Sequence, residues 1–150
     1  MSEVHQEWHL PLRSARGADL RGEVEAFLES YAHAFLKGDG RAVSCHWSVP
    51  SLIITDEEVK PVSSLEQVRA FFDRCNLEYR ARGIEATHAE IITLDTPTDR
   101  VAMVAVRWPL LDAEGEEQGS ELATYVLRKD AFGEYKIQSM VMQGEDYRPH

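Results

Sequence analysis

A chain of 150 residues, 43% hydrophobic and 28% charged, has the mass of one ordinary domain and the composition of a globular protein rather than a disordered one. Its net charge of -10, with no block of Lys and Arg, argues against a nucleic-acid backbone or an anionic membrane surface as partner. Two isolated cysteines make no disulfide framework, no window reaches a membrane span, and M-S-E-V-H-Q-E-W-H lacks the basic start and apolar run of a signal peptide.

A cytoplasmic location is therefore expected, with Cys45 and Cys75 as small buried hydrophobes. Residues 1–18 lack periodicity and contain Pro11 and Gly17, which reads as an N-terminal arm ahead of a single domain over 19–150. Trp8 and Leu10 in that arm need something to pack on. His5 and His9 stand four apart, but Gln6 occupies the place where a zinc-protease motif needs glutamate, so no metal site and no cofactor are expected.

Val24, Phe27, Leu28, Tyr31 and Phe35 recur at three- and four-residue steps, the stripe of a helix that faces a core, with Asp19 as its cap and Gly38 at its end. Glu25, Glu29, Ser30, His33 and Lys37 take the other side. A short helix is expected from Gly40 to Cys45, leading to His46 and Trp47. Strands follow at Ser51–Thr55 and Val59–Val62, joined by an acidic turn at Asp56. Ser64, with Gln67 three residues later, has the form of a capping box at the start of a third helix. Its stripe is Leu65, Val68, Phe72, Cys75 and Tyr79.

From Glu85 the period falls to two, which predicts strands at Ala86–Leu94, Arg100–Leu111, Ser120–Lys129 and Tyr135–Gln143. Short links with turn signals make them antiparallel. The strand Arg100–Leu111 is apolar on both faces. Helices cover one face, and the other calls for a second subunit, so a homodimer through the outer sheet face is expected. The fold class is α+β.

The order of these elements, with Y-A-H-A-F-L-K-G-D at Tyr31–Asp39, P-S-L-I-I-T, S-x-E-x-V-R-x-F-F and T-Y-V-L-R-K-D…G-E-Y-K-I, resembles the SnoaL-like members of the nuclear transport factor 2 superfamily, which includes ketosteroid isomerases. The resemblance spans Val24 to Gln143. It implies a cone of three helices on a strongly curved, mostly antiparallel sheet, a dimer, and a pocket between helices and sheet. It implies no single activity, because this fold hosts isomerases, cyclases, dehydratases and association domains.

Isomerase members hold an enolate oxygen with a tyrosine on the first helix and a protonated acid, while a second carboxylate moves the proton. This use of a neutral carboxylic acid in a ketosteroid isomerase is a standard illustration of pKa tuning. Tyr31 stands in the tyrosine's place. Asp56 is the nearest carboxylate for the base, given a two-residue insertion, and the acid's position falls near Ala123 or Thr124. Steroid isomerase activity is therefore not carried over. Tyr31 also reads as a plain core tyrosine, and Asp56, beside Glu57 and Glu58, as a solvated turn.

His46, at the exit of the short helix, is a candidate general base near neutral pH or else a hydrogen-bonded surface histidine. His88 and Glu90 share a strand face and permit a pair. Arg107 and Trp108 are adjacent and face opposite ways. An inward Arg107 would bind a carboxylate, whereas the alternation of Ala102, Val104, Val106 and Trp108 favours an inward Trp108. The expected ligand-binding residues are Phe27, Trp47, Arg107, Trp108 and Tyr125, and the expected catalytic residues Tyr31, His46 and Asp56. Two functional classes stand: a small-molecule cone, with cofactor-free acid–base chemistry on a carbonyl compound if it is an enzyme, and a non-catalytic association or ligand-sensing module.

Overall fold

A computed structural model of the chain describes residues 17–36 and 40–145. The first stripe forms helix α1 (Gly17–Leu36), with Val24, Leu28 and Tyr31 buried, Phe27 and Phe35 half-buried, and Glu25, Glu29 and His33 exposed. The helix begins two residues before the expected cap, so Asp19 lies within its first turn. Gly38, the expected stop, and His5, Trp8, His9 and Leu10 of the arm lie outside the described residues.

Helix α2 (Gly40–Ser44) rests on helix α3 (Leu65–Ala81) at a contact that only glycine allows. Gly40 N donates to Asp73 Oδ1 at 2.9 Å, and a Cβ on Gly40 would lie 2.5 Å from the Arg69 carbonyl oxygen. Ser64 caps α3 as the sequence predicts, its Oγ accepting from Gln67 N at 3.3 Å. Gln67 Oε1 returns the contact one residue earlier than a standard box, accepting from Ser63 N at 2.8 Å. Val68, Phe72 and Tyr79 of the α3 stripe are buried, and so is Asn76.

Strands β1 (Trp47–Ile54), β2 (Val59–Val62), β3 (Ala86–Thr87), β4 (Glu90–Asp95), β5 (Val101–Leu111), β6 (Glu117–Lys129) and β7 (Tyr135–Glu145) make one curved sheet in the order β2-β1-β7-β6-β5-β3, with β4 also paired to β5. The architecture is α+β, helices on one face of a mostly antiparallel sheet. The hairpins β4–β5, β5–β6 and β6–β7 are antiparallel, as their short links require. One pair, β1 with β7, is parallel.

The strand boundaries differ from the sequence expectation most at β1 and after α3, while β6 and β7 run a few residues longer, from Glu117 and to Glu145. β1 starts at Trp47 rather than Ser51, because Trp47 already pairs with Ile137. The expected strand Ala86–Leu94 divides into β3 and β4 opposite Pro109, a residue with no N–H for the ladder. Thr87 Oγ1 donates there to the Pro109 carbonyl at 2.7 Å.

Along β5, Ala102, Val104, Val106 and Trp108 point inward and are buried against the helices. Met103, Ala105 and Arg107 point out. Among the described residues no helix is long and apolar enough to cross a membrane.

Candidate functional site

Between α1, α3 and the inner face of the sheet lies a cavity of about 370 Å³, within the usual size range of small-molecule sites. α1 contributes Tyr31 and Phe35, and α3 contributes Phe71, Phe72, Cys75 and Tyr79. The sheet supplies Trp108 from β5, Glu121, Ala123 and Tyr125 from β6, and Met140 and Met142 from β7. Thr55, Asp56 and Glu57, from the turn after β1, also line it, as do Leu122, Gln143 and Gly144. Helical stripes and strand alternation produce this arrangement directly, since both turn their aromatic members to the same side.

Two tyrosine–tryptophan pairs organise the polar chemistry. Trp47 Nε1 donates to Tyr31 Oη at 3.3 Å, and Trp108 Nε1 donates to Tyr125 Oη at 3.0 Å. An indole nitrogen can only donate, so each phenol is the acceptor and keeps its own hydroxyl hydrogen to give away. Among the described residues neither hydroxyl hydrogen has an acceptor, and both tyrosines are 3% exposed. The two rings are 6.1 Å apart, edge to face. Burial, then the neighbouring Tyr125, raises the Tyr31 pKa well above that of an ordinary phenol, and burial likewise raises Tyr125. At neutral pH both are protonated donors on the cavity wall.

The wall also carries a carboxylate: Tyr79 Oη donates to Glu121 Oε2, and both residues line the cavity. Burial, then the negative Glu121, pushes the Cys75 thiol up to about 11. That thiol is inert at neutral pH.

The sequence-predicted residues separate into three groups. Tyr31, Trp108 and Tyr125 line the cavity, and exposed Asp56 stands at its edge. Trp47 and Phe27 do not line it. Trp47 reaches it through the Tyr31 hydroxyl, and Phe27 stacks on the Tyr31 ring at 6.1 Å.

His46 and Arg107, expected at the site, do not line the cavity, and for each the structure has the other arrangement the sequence allows. The His46 ring sits beside Tyr31 and Phe27, at 5.5 and 5.4 Å between centroids, and does not line the cavity. Its Nδ1 lies 3.0 Å from the Ala42 carbonyl, which can only accept, so Nδ1 carries the hydrogen. Nε2 then accepts from Ser30 Oγ at 2.9 Å. Both nitrogens are thus engaged outside the cavity wall, Nδ1 by the Ala42 carbonyl and Nε2 by the Ser30 hydroxyl. Arg107 is on the outer face, bonded to Glu90 at 2.7 Å and to Glu117. Strand alternation turns it away once Trp108 faces in.

Glu121 is a lining residue that the sequence expectations leave out. Its signal was the two-residue step to Ala123, Tyr125 and Leu127, all of them buried. His88 Nε2 does meet Glu90 Oε2 at 3.2 Å, in the break before β4 and on the exterior. Among the described residues no three His, Cys, Asp or Glu side chains are grouped as metal ligands.

Comparison with solved structures gives the same cone. The chain is similar to an NTF-2 like protein from Shewanella oneidensis MR-1, with TM-score 0.66 and 14% identity over 83% of this chain and 99% of that one. A ketosteroid isomerase-like protein from Erwinia carotovora atroseptica matches with TM-score 0.62 and 16% identity over 85% and 96%. A putative calcium/calmodulin dependent protein kinase II association domain from Xanthomonas campestris matches with TM-score 0.57 and 18% identity over 91% of each chain. At these identities the likeness concerns the fold alone. No curated protein matches the chain. The model of one family, described as NTF2-like protein (DUF6841), matches residues 22–145, and the chain therefore belongs to that NTF2-like family.

Proposed function

We propose that the cone binds a small, largely apolar organic molecule through an oxygen acceptor such as a carbonyl, and moves a proton on it without a cofactor, as an isomerase, cyclase or dehydratase does. The observation that carries this reading is the pair of buried phenols whose hydroxyl hydrogens have no acceptor among the described residues. Leaving two buried donors unsatisfied costs free energy, and a ligand oxygen lying between them would recover it. The same donors would hold the oxyanion that forms when a proton leaves the carbon beside a carbonyl. Asp56, at the edge of the cavity, is the carboxylate assigned to carry that proton. His46 supports Tyr31 through ring contact and takes no proton in this scheme.

A panel of apolar ketones, lactones and matched hydrocarbons, screened by thermal shift and followed by rate assays on each hit, tests the reading. Ketones should raise the melting temperature and hydrocarbons should not. With Tyr31→Phe, turnover should fall about 10²-fold or more. Binding with no turnover of any hit would leave a ligand-sensing module. Ketones that bind no better than hydrocarbons would remove the role given to the phenols.

A second reading, association through the outer face of the sheet, rests on a different observation. Leu52, Ile92 and Met103 are 40, 55 and 43% exposed there, an unusual outlay of apolar surface for a sheet face meant for water. Dimerisation through this face and a ligand in the cone are compatible.

A further inference from the structure

We infer that residues 7–13, in the N-terminal arm, dock as an extended segment in a groove between α1 and the edge of the sheet at β4.

The groove has a volume of about 570 Å³ and follows α1 from Arg21 to His33. Its other wall runs from Thr87 to Ile91, across the break between β3 and β4. Leu28, Ala32, Ala89 and Ile91 give it an apolar floor, the first two buried and the others half-buried. Charges on the rim pair with one another: Arg21 Nε meets Glu25 Oε2 at 3.0 Å, and His88 meets Glu90. Such a groove suits a row of apolar side chains better than a small polar ligand. Beside it, β4 pairs with β5 and, among the described residues, with no strand on its other side. An extended segment laid there would gain ladder hydrogen bonds and apolar burial together.

The chain contains such a segment. No period runs through the arm as a whole, but its middle reads E-W-H-L-P-L-R, with Trp8, Leu10 and Leu12 on alternate residues. In an extended strand that alternation puts the three side chains on one face and their N–H and C=O groups on one edge. His9, Pro11 and Arg13 take the other edge, where the missing N–H of Pro11 removes no ladder bond.

Length and connection agree. From Arg21 to His33 the helix rises about 18 Å, and the extended steps from Glu7 to Arg13 cover about 20 Å. α1 begins at Gly17, so Ser14, Ala15 and Arg16 are left to turn the segment back along it. Docked in that direction, Glu7 comes to the His33 end and Arg13 to the end that carries Glu25. A segment tethered this closely has an effective concentration of roughly millimolar, which favours the chain's own arm over that of a second copy.

The test uses the full chain with Cys45→Ser and Cys75→Ala, and adds one cysteine to the arm and one to the groove. Leu10→Cys with Ala89→Cys should oxidise to a disulfide within one chain, since docking brings the two Cα atoms within about 7 Å. Leu10→Cys with Val59→Cys, on β2 at the opposite edge of the sheet, should not. Hydrogen exchange gives a second reading. In the otherwise native chain carrying Trp8→Ser, Leu10→Ser and Leu12→Ser, the β4 amides that point away from β5 should exchange about tenfold faster than in wild type, or more. Equal exchange in the two proteins, or a 10–89 disulfide that forms no faster than the 10–59 control, would overturn the inference. A 10–89 disulfide that joins two chains would overturn it as well, and would give the groove to the arm of a second copy.

Discussion

At Tyr31 one oxygen serves two neighbours: it accepts from Trp47 Nε1 and it keeps a hydrogen for whatever enters the cavity. Tyr31→Phe therefore strands a buried indole N–H as well as removing a donor. Urea unfolding should show a loss of about 1–3 kcal/mol, the usual cost of leaving such a group unsatisfied. A variant as stable as wild type would mean that the indole finds water or a new acceptor.

His46 answers to pH instead. Burial, its largest influence, holds its pKa below the 6.5 of an exposed imidazole. Below about pH 6.5 the unfolded chain takes up a proton that the folded state refuses until its own lower pKa is reached, so stability is lost as pH falls through that window. In His46→Gln the drop in urea midpoint between pH 7 and 5.5 should be smaller than in wild type. Equal drops in the two proteins would show that His46 does not contribute.

Which of these residues could be read from the chain follows from the geometry. Tyr31 and Trp108 were legible because a helical stripe and a strand alternation each fix a direction. His46 was not, because its ring direction depends on Ser30, sixteen residues earlier in the chain, and on the Ala42 carbonyl one turn back. Glu121 was hidden by composition: four acidic residues in the preceding hairpin made it look like one more solvated charge, although the step to Ala123 and Tyr125 already placed it inside.

Among the elements, the α2–α3 contact sets how closely those two helices approach, and Gly40 tests it while Gly22, on α1, serves as the unhindered control. Gly40→Ala would put a methyl group 2.5 Å from the Arg69 carbonyl and 2.6 Å from Asp73 Oδ1. α2 would have to move away, at a cost of about 1–3 kcal/mol. Gly22, exposed within α1, has nothing within 4 Å of an added Cβ, so Gly22→Ala should stabilise by roughly 0.5–1 kcal/mol through helix propensity alone. Thermal melts of the two variants beside wild type should bracket it, and a Gly40→Ala melt at or above wild type would show that the contact yields freely. The helices and most strands were legible as elements because their periods are local. The division of β3 from β4 was not, because it is imposed by Pro109 on the neighbouring strand. The parallel contact of β1 with β7 was equally out of reach, since no hairpin turn announces a pairing between residues some ninety positions apart.

For the molecule as a whole, cross-strand register lines up Met103, Val126, Ser139 and Leu52 in one row over the outer face. If this row is the joint between two copies, wild type should run as a dimer in light scattering at tens of micromolar. Met103→Glu, which brings like charges to the joint, should run as a monomer and should still bind ligand in the cone. A monomeric wild type would leave the row without such a partner.

The sheet order carries one more consequence. β7 is the last described strand in the chain, yet it lies in the middle of the sheet, between β1 and β6. Until it arrives, the β1–β2 ribbon and the β4–β5–β6 meander have no common edge, and Met140, a wall of the cavity, does not yet exist. During synthesis the nascent protein therefore holds two unfinished sheet edges until β7 emerges. Closure of the cone and completion of the cavity wall then become a single event, the docking of one strand between two preformed edges.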